Sequence, residues 1–172
     1  MLYQRIRYRV VIFLLAIFRG LEGRLGYYIR GQLYGRICKR FGKNVLVGPY
    51  VFIFMPEKLS IGNNVSIHEF TLISCNGGVT IGNDVSVAHN CSFLSTSHIY
   101  DDASVNIRDA GVTYDPIVLA DNIWIGCGAR VLSGATIKSG VVVAANSVVK
   151  GTLVKETVYG GIPARKIKPR TL

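Results

Sequence analysis

Histidine side chains carry the acid–base chemistry that this sequence offers near neutral pH. The chain of 172 residues has three histidines, His68, His89 and His98. Imidazole can take a proton from a hydroxyl group near pH 7, so each histidine is a candidate general base. No two of them have the close spacing typical of zinc ligands, and the four scattered cysteines include no Cys-x-x-Cys pair. These residues favour proton transfer over a metal site or a disulfide framework.

His98 stands at the start of an irregular segment, residues 98–116, which interrupts an otherwise periodic sequence. A loop of this length adds nothing to a repeating core, so we expect it to carry function. The alternative is a loop that only pads a contact between subunits. Asp101 and Asp102 follow His98 closely, and either carboxylate could orient the imidazole ring or simply be solvated. His89 fits a turn position better than a catalytic one.

The periodic sequence on both sides of this segment must position the histidine. Every sixth residue is isoleucine, leucine, valine or phenylalanine, with one slip of two residues: Ile61, Ile67, Ile73, Ile81, Val87, Phe93, Leu119, Ile125, Val131, Ile137, Val143 and Val149. A second small or apolar residue often follows four positions later: Val65, Thr71, Val85, Cys91, Ile123, Ala129, Ala135, Val141 and Ser147. A period of six is neither helical nor a simple alternation, and it fits a short strand with a tight turn, three per coil.

The repeat therefore predicts an all-β fold, a parallel β-helix whose core is a column of stacked aliphatic side chains. Glycine recurs directly after the aliphatic position at Gly62, Gly82 and Gly126, where we expect it to supply the unusual backbone of the corners. Four further apolar residues look like an imperfect first coil: Val45, Val47, Val51 and Ile53.

The repeat resembles that of the hexapeptide-repeat acyltransferases, over residues 45–170. Its most specific segments are Asp121-Asn122-Ile123-Trp124-Ile125-Gly126 and Gly160-Gly161-Ile162-Pro163-Ala164-Arg165. The resemblance implies a left-handed β-helix, a homotrimer with active sites at the subunit interfaces, and acetyl-CoA as co-substrate without a metal. It is strongest to the sugar O-acetyltransferases that modify bacterial O-antigen, capsule or exopolysaccharide.

The resemblance also implies roles for individual residues. His98 occupies the position of the family's general base, and the backbone amide of Cys127 that of the oxyanion donor. The Cys127 thiol as a covalent nucleophile is the alternative, although the family transfers the acyl group directly. The residues implied to bind acetyl-CoA are Gly126, Ala145, Lys150, Gly151, Arg165 and Lys168. The residues implied to bind the acceptor are His68, Glu69, Asp101 and Asp102, and the first two differ from the asparagines that some relatives carry.

The basic charge of the chain is concentrated at its N-terminus. Residues 1–43 contain ten Lys or Arg and one acid, whereas the remainder is almost neutral and the whole chain carries a net charge of +10. We expect residues 1–44 to form a helical segment, and residues 45–172 to form the β-helix with its extruded loop and a basic tail. Residues 1–24 could lie in the cytoplasmic face of the inner membrane, with their arginines at anionic head groups.

Other interpretations of this segment are a helix packed on the protein's own core or on a neighbouring subunit, and a signal peptide without a clear cleavage site. Nucleic acid is not expected as a partner, because aromatic and basic residues do not alternate along the body of the chain. The function we expect is O-acetylation, in the cytoplasm, of a sugar hydroxyl of a bacterial surface polysaccharide or its precursor. The basic, apolar N-terminus is compatible with a lipid-linked acceptor at the inner membrane. The alternatives are acetylation of an antibiotic or an amino sugar, and a non-enzymatic trimeric scaffold at the membrane.

Overall fold

The repeat forms one buried column of apolar side chains. The computed structural model describes residues 2–170 and, within them, the side chains of residues 6–170. All twelve aliphatic or aromatic residues of the six-residue series, from Ile61 to Val149, are at most 1% exposed. The second series and the four residues of the first coil are buried as well. The predicted parallel β-helix core is thus confirmed.

Three parallel sheets form the sides of the solenoid. Face 1 contains β1 (Arg40–Phe41), β4 (Leu59–Ile61), β7 (Val79–Ile81), β12 (Ile117–Leu119), β15 (Thr136–Ile137) and β18 (Thr152–Leu153). Face 2 contains β2 (Val45–Val47), β5 (Val65–Ile67), β8 (Ser86–Val87), β13 (Trp124–Ile125), β16 (Val142–Val143) and β19 (Thr157–Gly160), followed by the antiparallel β20 (Arg165–Pro169). Face 3 contains β3 (Phe52–Phe54), β6 (Leu72–Ser74), β9 (Ser92–Leu94), β14 (Arg130–Val131) and β17 (Val148–Val149).

Two kinds of corner matter for function. The second corner joins face 2 to face 3 and comprises residues 48–51, 68–71, 88–91, 126–129 and 144–147. The third corner joins face 3 to face 1 and comprises residues 55–58, 75–78, 95–116, 132–135 and 150–151. A 3-10 turn, Pro56–Lys58, fills the first of these third-corner segments. In the third coil this corner extends into an antiparallel hairpin of β10 (Thr96–His98) and β11 (Val112–Tyr114).

The repeated glycines lie at corners, but the prediction that they supply an unusual backbone there is wrong. Gly62, Gly82 and Gly126 do not have positive φ, and they are needed for close stacking instead. A Cβ at Gly126 would lie 2.6 Å from the amide nitrogen of Ala145 in the next coil. Asparagine and aspartate, which tolerate left-handed backbone better than most residues, occupy many of the corner positions with positive φ: Asn44, Asn64, Asp84, Asn90, Asn122 and Asn146.

Two helices, α1 (Leu2–Ile17) and α2 (Gly23–Gly35), precede the solenoid and pack against its first coil. Val11 and Leu15 of α1 are buried in the common core, as are Leu33 and Tyr34 of α2. The expectation that this segment packs on the protein's own core is therefore confirmed for one face of α1. Neither helix, within the described residues, has the length and apolar character needed to cross a bilayer.

Arg30 of α2 joins the helices to the first coil. It is 1% exposed, and its Nε donates a hydrogen bond to the carbonyl oxygen of Val47 at 2.9 Å. Its Nη1 donates to the carbonyl oxygens of Phe18 at 3.0 Å and Leu21 at 2.7 Å, in the segment that follows α1. Burial lowers the pKa of Arg30. One guanidinium thus satisfies carbonyl groups from two separate parts of the chain.

Candidate active site

The hairpin of the third corner presents His98 to solvent. His98 is the last residue of β10 and pairs with Val112 of β11. It lies in a shallow pocket of about 410 Å³, lined by Ser97, His98, Ile99, Tyr100, Asp101 and Thr113. All these residues come from the hairpin itself. An exposed imidazole in an open pocket can act as a base only when another surface brings a substrate against it.

The two carboxylates that follow His98 have different surroundings. Asp102 accepts hydrogen bonds from the Ser104 hydroxyl at 2.6 Å and from the Ser104 backbone amide at 2.9 Å. These bonds lower the pKa of Asp102. Asp101 instead lines the same pocket as His98. Among residues 6–170 no carboxylate is hydrogen-bonded to the imidazole of His98, and Asp101 is the better placed of the two to approach it.

The root of the hairpin is fixed to the solenoid. The buried Ser95 hydroxyl donates a hydrogen bond to the carbonyl oxygen of Ser74 at 2.6 Å and accepts one from the Gly77 amide at 2.9 Å. Directly after the returning strand, the Asp115 carboxylate accepts a hydrogen bond from the Ser133 hydroxyl at 3.1 Å. The direction in which His98 projects is therefore set by the coils on either side of the hairpin.

The second corner presents free backbone amides. The register of face 2 pairs Ile125 with Val143, so Cys127 and Ala145 occupy equivalent positions in adjacent coils. The Gly126 amide donates to the carbonyl oxygen of Val143 at 2.8 Å, whereas the amides of Cys127 and Ala145 have no acceptor among the described residues. Half-buried Cys127 and exposed Ala145 thus offer two N–H groups in a row, which can bind a thioester oxygen and the amides of a pantetheine arm.

The basic tail continues this row. In the next coil, Tyr159 pairs with Val143, so Gly160 at the end of β19 lies one position before the equivalent of Ala145. Gly160 pairs with Arg165 of β20. Cys127, Ala145 and Arg165 therefore lie in order along one corner, over roughly 14 Å at the usual spacing of adjacent strands. Lys168 lies further along β20, and both cations are exposed. The residues fit an acyl-CoA whose thioester lies at the Cys127 amide and whose phosphates contact the cations of β20.

Two of the four acceptor candidates, His68 and Glu69, lie on the same second corner, two coils before Cys127, whereas Asp101 and Asp102 lie in the hairpin of the third corner. His68 and Glu69 are partly exposed, with 3.8 Å between His68 Nδ1 and a Glu69 carboxylate oxygen. His89 is exposed one coil closer to Cys127.

Sequence reasoning did not single out Arg130. Its guanidinium donates hydrogen bonds to the carbonyl oxygens of Asn90 and Gly128 and so stabilises this corner. No sequence signal identifies it, because its acceptors are backbone groups from two coils.

A single chain does not bring all these residues together. His98, Asp101, Lys150 and Gly151 lie at the third corner, whereas Cys127 lies at the second, across the width of face 3. A side of six residues is roughly 20 Å wide, too far for a hydrogen bond or a proton transfer. The described residues thus form two half-sites at the two edges of one face.

The thiols and the possible metal ligands add little to this chemistry. Cys75 is buried and Cys38 is partly buried, and desolvation raises the pKa of each to about 12, so both stay protonated at neutral pH. All four cysteines are free, and Cys127 is the one that lies at the proposed site. Within the described part of the chain, no three His, Cys, Asp or Glu side chains are grouped as a metal site requires.

Known proteins resemble this chain in sequence and in fold, although no family model matches it. It is 34% identical, over 83% of its length and 66% of the relative's, to Escherichia coli K12 WbbJ, named as an O-acetyl transferase of lipopolysaccharide biosynthesis. It is 30% identical to the galactoside O-acetyltransferase of the same organism, over 81% of this chain and 68% of that one.

A hexapeptide-repeat acetyltransferase from Vibrio cholerae O1 biovar eltor, solved with acetyl coenzyme A, superposes with a TM-score of 0.83. The match covers 97% of this chain and 87% of the other, with 27% identity. The predicted left-handed β-helix is confirmed by this fold. The chain spans about two thirds or less of the length of the first curated relatives that it matches.

Proposed function

The chain belongs to the hexapeptide-repeat acetyltransferases, and from this premise we propose that it transfers an acetyl group from acetyl-CoA to a sugar hydroxyl. The acceptor is a bacterial surface polysaccharide or its precursor. The observation that carries the proposal is the pair of free amides at Cys127 and Ala145, in line with the cation Arg165. The names of the relatives, which include lipopolysaccharide and galactoside O-acetyltransferases, support the acceptor class.

The proposed reaction is a direct transfer between two bound substrates. The His98 imidazole takes the proton from the sugar hydroxyl as its oxygen attacks the thioester carbonyl carbon. The Cys127 amide donates a hydrogen bond to the carbonyl oxygen as negative charge develops there. The carbon–sulfur bond then breaks, the sulfur of CoA takes the proton from His98, and the sugar keeps the acetyl ester. Asp101 orients the imidazole.

Three copies of the chain would complete the two half-sites. A copy that places its third corner beside the second corner of its neighbour brings His98 and Lys150 to the neighbour's Cys127 and Ala145. Such a head-to-tail contact closes into a ring, and a triangular cross-section suits a ring of three. With the symmetry axis parallel to the solenoid, His98 of the third coil falls between His68 of the second coil and Cys127 of the fourth.

The first test is CoA release by the purified protein with acetyl-CoA and a panel of glycans, nucleotide-linked amino sugars and antibiotics. We expect release with glycans, and we expect His98→Ala to lower turnover by roughly 10²–10⁴-fold with unchanged thermal stability. Near-normal turnover in His98→Ala would overturn the role of this residue. Release only with amino sugars or antibiotics would overturn the acceptor class, and failure to bind acetyl-CoA would leave the scaffold interpretation.

We further propose that α1 lies on the cytoplasmic face of the inner membrane. Four apolar residues spaced along one helical face are more than half exposed: Ile6, Val10, Phe13 and Ile17. Arg7 and Arg9 of α1 and Arg24 of α2 are exposed. Two arginines are partly engaged by the protein itself: Arg7 donates a hydrogen bond to the carbonyl oxygen of Arg36 at 2.7 Å, and Arg19 lies 4.2 Å above the ring of Phe52. Arg5 belongs to the predicted basic face, but its side chain is outside the described residues.

Vesicle sedimentation tests this placement. We expect the protein to sediment with phosphatidylglycerol vesicles much more than with phosphatidylcholine vesicles, and Phe13→Ser with Ile17→Ser to lose about tenfold in affinity. The oligomeric state of the double variant should equal that of the wild type. If the double variant instead dissociates into single chains while vesicle binding persists, a neighbouring subunit covers the apolar face of α1, and the membrane proposal is wrong.

A further inference from the structure

An exposed aromatic stack lies on the second corner beside the acceptor candidates. The rings of Tyr50 and Phe70 are parallel within 3°, with 5.3 Å between their centroids. Their side chains are 43% and 59% exposed. Phe70 directly follows His68 and Glu69 in the sequence, and the stack ends at Phe70 because the next coil has Asn90 at this position.

The backbone at both positions is in the left-handed region. φ is 54° at Tyr50 and 59° at Phe70, a conformation that bulky side chains rarely adopt. The equivalent positions of the later coils carry the residue types that suit it, Asn90, Gly128 and Asn146, all with positive φ. The first two coils thus keep aromatic residues where asparagine or glycine would be less strained. Strain of this kind at an exposed position points to function.

We propose that Phe70, supported by Tyr50, is the surface on which the sugar ring of the acceptor stacks. This inference rests on the proposed sugar O-acetyltransferase function and specifies its substrate: a pyranose with one face of C–H groups free of axial hydroxyls. The electron-rich face of an aromatic ring attracts such C–H groups. His68 and Glu69 then bind the ring hydroxyls at its edge.

The position of the stack suits this role. It lies two coils before Cys127 on the same corner, which is roughly 10 Å at the usual spacing of adjacent strands. The donor amides extend from Cys127 in the opposite direction, toward β20. Acceptor and donor therefore approach from opposite ends of one corner, and a sugar on Phe70 has its far hydroxyls directed toward the thioester.

Tyr50 is held in place by the segment between the helices. Its amide donates a hydrogen bond to the carbonyl oxygen of Arg19 at 3.0 Å. A Cβ at Gly20 would lie 2.6 Å from the Tyr50 hydroxyl, so this segment packs closely on the edge of the ring. Phe70 is 59% exposed, and it is the residue whose substitution tests the proposal with least disturbance of the fold.

The decisive variant is Phe70→Asn, because asparagine occupies the same corner position in Asn90 and Asn146 with the same φ. We expect its thermal stability to equal or exceed that of the wild type. Steady-state kinetics with acetyl-CoA and methyl pyranosides of glucose, galactose, rhamnose and N-acetylglucosamine should show an acceptor KM raised about tenfold, with the KM for acetyl-CoA unchanged. Saturation-transfer NMR should show the same loss of pyranoside binding.

Two matched variants separate stacking from apolar packing. Phe70→Tyr keeps the aromatic face and should retain the wild-type acceptor KM, whereas Phe70→Leu keeps an apolar side chain without that face and should resemble Phe70→Asn. If His98→Ala abolishes activity but Phe70→Asn leaves the acceptor KM unchanged, the proposed stacking surface is wrong and the proposed function is not affected. A wild-type protein that neither binds nor acetylates any of the four pyranosides overturns the proposed function together with it.

Discussion

At the scale of single residues, Cys127 contributes its backbone to the proposed chemistry and not its thiol. Its amide is free of acceptors within the described residues, and the amide of Ala145 repeats the arrangement one coil away. Coil 1 carries Pro49 at the equivalent position, again after a glycine, so this corner accepts a residue without an N–H group. Pro49 is therefore a precedent within the chain for placing a proline at the position of Cys127.

Cys127→Pro should therefore fold normally and lose the oxyanion donor. We expect kcat to fall by roughly 10²–10³-fold, as when one such donor is removed from an acyl-transfer site. Cys127→Ala keeps the amide and should retain turnover within about threefold. CoA release and thermal unfolding of both variants check this. Loss of activity in Cys127→Ala to the level of Cys127→Pro would favour the thiol as a covalent nucleophile instead.

At the scale of elements, the hydrogen bonds that Arg30 donates hold the helices on the solenoid more specifically than apolar contacts do. Its guanidinium donates hydrogen bonds to the carbonyl oxygens of Phe18, Leu21 and Val47, and the bond to Val47 is buried. Because the segment after α1 also packs on Tyr50, Arg30 indirectly sets one end of the acceptor half-site.

Arg30→Lys should lower the free energy of unfolding by about 2 kcal/mol, because a single ammonium cannot reach carbonyl groups in several directions. Arg36→Lys is the matched control, since Arg36 is exposed and its Nη1 bonds one carbonyl oxygen of its own helix, that of Gln32. Urea unfolding of the two variants measures the difference. Equal stability of both would mean that water replaces the Arg30 hydrogen bonds without cost.

At the scale of the whole molecule, the two edges of face 3 each carry half of the proposed site. His98 and Lys150 belong to one edge, Cys127 and Ala145 to the other. In the head-to-tail ring that we propose, each contact would form one complete site, whereas a lone chain would form none.

Mixed assemblies test this arrangement. His98→Ala and Cys127→Pro should each be inactive alone, whereas trimers formed from equal amounts of both should regain about a quarter of the wild-type activity, because random assembly leaves that share of contacts with both groups intact. The measurement is CoA release after co-expression, with size-exclusion chromatography to confirm assembly. No regain of activity in mixed trimers would place His98 and Cys127 of one chain in one site.

The sequence alone determined the solenoid and its interruption. The positions from Ile61 to Val149 recur with one period, and a local period fixes which side chains face the axis whatever the rest of the chain does. His98 could be identified because it stands where this period breaks. The family resemblance then supplied the donor residues, of which Gly126, Ala145 and Arg165 lie along the second corner, whereas Lys150 and Gly151 lie at the third.

Only the tertiary structure decided which residues share a corner, which amides lack acceptors, and which face of α1 is uncovered. These properties depend on the register between strands that are 16 to 38 residues apart in the chain, as in the pairs Ile137 with Leu153 and Leu119 with Ile81. The roles of Arg30, Arg130 and Phe70 became visible only in this way. Their partners are backbone groups or rings from other coils, and no local pattern encodes such contacts.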